Sequence, residues 1–155
     1  MSGPGFTVRA ATAADARAWG ALRLALWPDE GVHWDPEDVG DALGHGRPAT
    51  AFLACNADGA LIGFAEATLR RDYVNGTETS PVGFLEGWYV APSWRGRGVG
   101  RALVHAVEGW TRDQGCRELG SDALLDNQPS HAAHAACGFE ETERVVYFRK
   151  AVERG

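Results

Sequence analysis

Between an apolar run, Phe84 to Val90, and a helix-like run, Val99 to Gln114, the chain places Arg95-Gly96-Arg97-Gly98-Val99-Gly100. Strand, glycine-rich turn and helix in that order commit the chain to a sheet with a helix starting at the end of one strand. The turn then presents backbone N–H groups and the positive end of a helix dipole, which suits an anion such as a phosphate or pyrophosphate. Spacing narrows the choice. A P-loop requires Lys and then Ser or Thr after its last glycine, where Arg101 and Ala102 stand. The dinucleotide fingerprint G-x-G-x-x-G fails as well, because Arg101 lies three residues beyond Gly98 and Leu103 three beyond Gly100. What remains is R-x-x-G-x-G, read as Arg95, Gly98 and Gly100, with a small residue wherever backbone must approach a ligand. The hexapeptide reads equally well as a glycine-rich surface turn, so context has to decide.

The chain of 155 residues is long enough for one core and short for two, which predicts a single domain over 1–155. No linker or repeat divides it, and the residues Met1 to Phe6 carry neither a basic region nor an apolar stretch of signal-peptide length. A cytoplasmic protein without membrane association is expected. Cys55, Cys116 and Cys137 are widely separated in apolar contexts and read as buried reduced thiols. Without C-x-x-C or a His/Cys pair at ligand spacing, no metal is expected. A net charge of -6 argues against nucleic acid and admits a cationic partner, although solubility alone explains it equally.

Phe6 to Ala10 reads as a first strand, and Thr12 with Asp15 as a capping-box variant opening a helix that runs to about Trp27. Ala16, Trp19, Leu22 and Leu26 give that helix one apolar face, and Pro28 stops it. Asp35 with Pro36 predicts a second, short helix from Glu37 to Leu43, ended by Gly44 and Gly46. Thr50 to Asn56 and Leu61 to Tyr73 form a hairpin about Ala57-Asp58-Gly59, and Asn75-Gly76 turns the chain toward Phe84 to Val90. Leu103, Val107 and Trp110 share a face of the helix that Gly115 ends. Cys116 to Ser121 follows as a fifth strand, Gln128 to Ala136 as a helix, and Phe139 to Glu143 and Val145 to Lys150 as two closing strands. An antiparallel meander with a crossover helix is an α/β arrangement.

The R-x-x-G-x-G turn resembles the acetyl-coenzyme A signature of the GNAT N-acetyltransferases, and the order of elements is similar to that family over nearly the whole chain. A second family element, N-x-x-A-x-x-x-Y-x-x-x-G-F, is matched by Asn127, Ser130, His134, Gly138 and Phe139, with His134 where many relatives carry a Tyr that protonates the coenzyme A thiolate. The resemblance implies a mixed, mostly antiparallel sheet splayed between strands 4 and 5 and flanked by helices. Within the family the chain resembles the aminoglycoside 6'-N-acetyltransferases in Leu26-Trp27-Pro28, Asp72-Tyr73-Val74-Asn75-Gly76, Phe84-Leu85-Glu86-Gly87, Ser121-Asp122 and Gly138-Phe139-Glu140-Glu141. That implies acetyl transfer from acetyl-CoA to the 6'-amine of an aminoglycoside, conferring resistance, commonly by a homodimer. A polyamine, metabolite or protein amine as acceptor, and a non-catalytic acyl-CoA sensor, are the competing readings.

Acyl transfer to an amine needs a neutral nucleophile, a polarised carbonyl, a proton for the thiolate, and orientation of both substrates. By resemblance, the N–H groups of Arg97, Gly98, Gly100 and Arg101 hold the pyrophosphate, and Arg95 or Arg97 adds charge. Val90 pairs with the pantetheine arm and polarises the carbonyl, and Trp88 and Asn127 stand on the same cofactor side. Glu86, an acid inside an apolar strand, is the candidate base, or else it simply points outward on an alternating strand. Asp122 orients an ammonium group or is a plain turn residue. Trp27 and Tyr73 wall a sugar pocket or belong to the core. Asp29, Glu30, Asp35, Glu37 and Asp38 form an acidic funnel or a solvated loop, with His33 and Trp34 unassigned among them. His134 is the candidate acid or a neutral structural histidine, and Tyr147 is a rival acid without motif support.

Overall fold

The computed structural model describes residues 2–3, 5–30 and 34–154. Six strands form one sheet in sequence order: β1 (Ser2–Gly3), β2 (Phe6–Ala10), β3 (Ala49–Asn56), β4 (Leu61–Arg70), β5 (Val82–Val90) and β6 (Leu119–Ser121). Neighbours are antiparallel except β5 and β6, which run parallel because α3 (Val99–Asp113) crosses between them. The fourth and fifth strands expected from sequence are therefore β5 and β6. They pair only from Gly83–Leu119 to Leu85–Ser121, so Glu86 to Val90 parts from the sheet on that side, which is the expected splay.

The sheet is covered on both faces. One core joins Leu103, Val104 and Val107 of α3 to Ala65, Ala67 and Leu85, with Trp110 packed against it. The other joins Trp19 of α1 (Ala16–Leu26) to Leu53 and Phe64, with Leu22, Leu26 and Trp27 packed alongside. β4 is buried from Ile62 to Leu69, as a strand between two layers must be. The apolar periodicity of both helices thus faces where the sequence put it. Cys55 and Cys116 are buried, Cys137 is half-buried, and all three are free thiols. Among the described residues no helix is long and apolar enough to cross a membrane.

Several boundaries differ from the sequence expectation. The first helix opens with a 3-10 turn, Ala13–Asp15, whose capping box closes as the Thr12 N–H donates to Asp15 Oδ2 at 2.8 Å. The second helix, α2, spans Val39–Gly44 and is capped by Asp38, not Asp35, with Oδ1 accepting the Asp41 N–H at 2.8 Å. β4 ends at Arg70, so Tyr73 belongs to the following loop, and β6 begins only at Leu119. The largest difference is at the end: residues 139–154 form neither closing strand. A strand needs a neighbour, and three-residue β6 offers a short edge to fold back on. Val146, Tyr147, Phe148 and Val152 stand exposed instead. α4 (Gln128–Ala136) forms as expected, with Asn127 at its N-cap.

Candidate active site

The cofactor half is built from backbone. β5 runs through a short 3-10 turn, Pro92–Trp94, into the glycine-rich segment, where Gly96 and Gly98 take φ of 76° and 87°. Those values lie in the left-handed region that glycine adopts without strain. Gly98 is the N-cap of α3 and brings no side chain to cap it, and the Ala102 N–H bonds back to Gly98 O at 3.0 Å. The N–H groups of the first helical turn therefore point out of the helix end, toward any anion placed there. At Gly100 an added Cβ would stand 3.2 Å from the Trp88 ring, and the buried Trp88 Nε1 has no hydrogen-bond partner among the described residues. A cradle that a methyl group would crowd, beside an orphaned donor, fits the phosphate-bearing arm of coenzyme A.

The side chains around this turn are largely occupied by the protein. Arg95 Nε donates to Val90 O at 2.8 Å, Arg97 lies 4.8 Å from the Trp94 ring centroid, and Arg101 Nη2 donates to Ala136 O at 2.5 Å. These contacts brace the turn and leave the backbone as the candidate ligand-binding surface. Asn127 caps α4 through Oδ1, which accepts the Ser130 N–H at 3.2 Å. His134 packs edge-on between Trp88 and Phe139, at 5.2 and 5.1 Å between centroids. Its Nδ1 lies 2.7 Å from Ser130 O, an acceptor only, so in the neutral ring the proton sits on Nδ1. Nε2 lies 2.7 Å from the Ser121 hydroxyl, which pairs with either tautomer of that nitrogen.

The candidate acceptor half is built from side chains. A cleft of about 500 Å³ opens between α1, α2, β4 and β5, lined among others by Arg23, Trp27, His45, Arg47, Glu66, Thr68 and Glu86. A β-bulge creates its carboxylate. Glu66 of β4 faces Gly87 while Ala67 faces Leu85, so Glu86 is an extra residue without a partner. The bulge shifts the alternation of β5, and Leu85 and Trp88 consequently pack in the same core cluster, which a regular strand three residues long would forbid. Glu86 is thereby aimed into the cleft, beside Gly87, whose missing side chain leaves the seat that the Trp27 ring fills.

Two acid–arginine pairs line the floor. Glu66 is 2% exposed and accepts from Arg23 Nε at 2.7 Å and Trp19 Nε1 at 3.0 Å, so its buried charge is matched. The Arg23 guanidinium lies 3.7 Å from the Trp34 ring centroid and 5.1 Å from that of Trp27, which makes it the hub of an aromatic wall. Above it, Glu86 accepts from the Thr68 hydroxyl at 2.5 Å and from Arg70 Nη2 at 2.8 Å. Both Glu86 and Arg70 stay about one-third exposed.

Of the expected acceptor residues, Trp27 and Glu86 meet in this cleft. Tyr73 is 72% exposed in the loop after β4, and Asp122 is exposed one residue past β6, so neither lines it. That loop is pinned from β6's side, where Glu118 accepts the N–H groups of Glu78 and Thr79 at 2.9 and 2.6 Å. The hydroxyl and N–H donors of this clamp hold the Glu118 carboxyl below the usual carboxylate range. Asp38 is committed as a helix cap, Trp34 packs edge-on against Trp19 at 5.1 Å, and His33 lies outside the described residues. Arg23, Glu66, Thr68 and Arg70 were missed from sequence. The signal was present: Glu66, Thr68 and Arg70 form a polar alternation inside an otherwise apolar strand.

The family model described as Acetyltransferase (GNAT) family matches residues 19–139. The chain is 63% identical over 148 residues to an aminoglycoside N(6')-acetyltransferase type 1 of Stenotrophomonas maltophilia, covering 95% of this chain and 94% of that protein. It is similar in structure to the aminoglycoside 6'-N-acetyltransferase AAC(6')-Ih of Acinetobacter baumannii, with TM-score 0.85 and 44% identity over 96% of this chain and 100% of that one. It also matches AAC(6')-Iy in complex with the bisubstrate analogue CoA-S-monomethyl-acetylneamine, with TM-score 0.82 and 42% identity over 95% of this chain and 99% of that one. A backbone-built anion turn, a splayed strand pair and a family match over most of the chain converge, and the protein belongs to the GNAT acetyltransferase family.

Proposed function

We infer that this protein transfers the acetyl group of acetyl-CoA to the 6'-amine of aminoglycosides, by direct attack of the amine with both substrates bound, and so confers resistance. The observation that carries the reading is the course of β5, which sets Glu86 in a cleft lined by acid–arginine pairs and four residues later, at Val90, leads into the glycine-rich turn. Substrate class follows from the relatives at 63% and 46% identity, both named aminoglycoside N(6')-acetyltransferases. Acetyl-CoA, when bound, supplies an acetyl thioester, and the net change turns an ammonium group and that thioester into an amide, a thiol and one proton.

The first turn of α3 binds the pyrophosphate through its N–H groups, with Gly98 and Gly100 keeping the approach open. Trp88 lies beside that path, and Val90 at the splay is the residue assigned to orient the acyl carbonyl. Trp27 stacks against a sugar ring, with Tyr73 and Asp122 contributing from the rim. Glu86 orients the amine through its carboxylate, and the proton that the amine sheds passes to water. His134, held between Trp88 and Phe139 with Nε2 2.7 Å from the Ser121 hydroxyl, acts as a positioning residue.

Residues 1–155 act as one catalytic domain, and two copies form the working unit. Val146, Tyr147 and Phe148 are 76%, 82% and 91% exposed, and such a β-prone apolar segment suits pairing with a second copy. Removing residues 145–154 should then yield a monomer in light scattering, whereas an unchanged mass contradicts the arm's role. Dependence on acetyl-CoA and three free thiols support a cytoplasmic location. The decisive test of the activity is thiol release from acetyl-CoA with a 6'-amino aminoglycoside and with its 6'-hydroxyl counterpart. Turnover with the first and almost none with the second is expected, and equal rates would refute the regiochemistry.

A further inference from the structure

We propose that Arg70 is a positioning residue that keeps Glu86 charge-compensated, so that the amine bound beside it sheds its proton to water and can attack. The proposal deepens the acetyltransfer reading above and rests on it. Its basis is the geometry of one pair. Both oxygens of Glu86 accept from Arg70 Nη2 at 2.8 Å, Nε adds a contact at 3.1 Å, and the Thr68 hydroxyl a fourth at 2.5 Å. Arg70 is itself fixed, with its guanidinium 3.8 Å from the Phe84 ring centroid.

An aminoglycoside amine arrives as ammonium, and only its neutral form attacks a thioester. A bare carboxylate beside it would stabilise the ammonium, giving tight binding and slow reaction. A carboxylate already matched by a bidentate arginine exerts little net attraction, yet keeps lone pairs with which to align an N–H. Arg70 thus gives up ground-state affinity in favour of reactivity. The other charged groups facing this point are compensated or lie at the rim. Arg23 of α1 matches Glu66, Arg47 lies 3.7 Å from Asp72, and His45 stands at the C-cap of α2. Asp122 follows Ser121, the register partner of Leu85, and adds a carboxylate at the rim of the same end.

The test is the pH dependence of kcat and KM for thiol release by wild type, Arg70→Gln, Arg70→Lys, Glu86→Gln and the Arg70→Gln/Glu86→Gln double variant. Coenzyme A titration of each confirms an intact fold. Arg70→Gln should lower kcat at neutral pH about tenfold, lower KM several-fold, and move the acid limb of kcat upward by about one pH unit. Arg70→Lys should restore most of the limb's position. In the Glu86→Gln background, Arg70→Gln should leave the limb where it was. An unmoved limb in Arg70→Gln, a rise in KM alongside the fall in kcat, or no rescue by lysine overturns the proposal. So does a limb that moves in His45→Gln but not in Arg70→Gln. Absence of wild-type turnover on any 6'-amino aminoglycoside would instead refute the parent reading.

Discussion

The two halves of the proposed active site are made of different material. The anion turn is backbone: two left-handed glycines, an uncapped helix start and an orphaned indole N–H, all within the span of residues 88–101. The proposed acceptor cleft is side chain: Arg23 of α1 with Glu66 and Arg70 with Glu86, pairs 43 and 16 residues apart in sequence and joined by helix packing and strand register. A backbone site tolerates changes of side chain but not of space, whereas a site of matched charges tolerates neither the loss of a partner nor a slip of register. The two halves should therefore fail in different ways.

The largest expected effect is on the deepest pair. Glu66→Ala strands the Arg23 guanidinium in the core and should cost about 3–5 kcal/mol of stability, read as a fall in the denaturant midpoint. A variant as stable as wild type would show that the floor of the cleft is not held by charge. Next, Glu86→Gln should lower kcat/KM for an aminoglycoside about 100-fold while leaving coenzyme A affinity within about twofold. Gly100→Val should do the reverse, weakening coenzyme A binding about tenfold to 100-fold through contact with Trp88 at the helix start, with acceptor binding unchanged. A smaller effect, below about tenfold in kcat, is expected of His134→Gln, since a positioning role is replaceable where proton donation is not.

The smallest effect lies outside both halves. Arg9 holds the Asp15 carboxyl down to about 2 through a hydrogen bond of 2.7 Å. A carboxyl depressed from 3.8 stabilises the fold above about pH 4, and that contribution fades as pH falls toward 2. With Arg9 half exposed, screening limits it to about 1 kcal/mol. Asp15→Asn should thus lower Tm at neutral pH by a few degrees, with the difference from wild type closing in acid, and neither ligand's affinity should change.

The contrast also explains what could be read in advance. Arg95 to Gly100 was legible because a turn that uses its own backbone is encoded by adjacent residues. The apolar faces of α1 and α3 were legible from their helical period, and the splay and sheet order followed from the family resemblance. Glu86 was identified, but not its aim, because the bulge that turns it inward is a mismatch between β4 and β5 that neither strand shows alone. Arg70 and Arg23 escaped for the same reason: an ordinary surface arginine and a pair-forming one look alike until register sets the partner opposite. Asn127 caps α4 through a local bond to Ser130, whereas the contact of Arg101 with Ala136 O depends on where that helix docks and could not be read from the sequence. The closing strands failed because Val145 to Lys150 has strand propensity but the edge of the sheet, β6, is only three residues long.

The separation of the two halves is tested most directly by calorimetric titration of coenzyme A and of a 6'-amino aminoglycoside into wild type, Glu86→Gln and Gly100→Val. A crossed pattern is predicted: Gly100→Val loses coenzyme A affinity and keeps the aminoglycoside's, while Glu86→Gln keeps coenzyme A affinity and changes only the aminoglycoside's. If both variants lose both ligands, or if Glu86→Gln weakens coenzyme A as much as Gly100→Val does, the two halves are one site and the account is wrong.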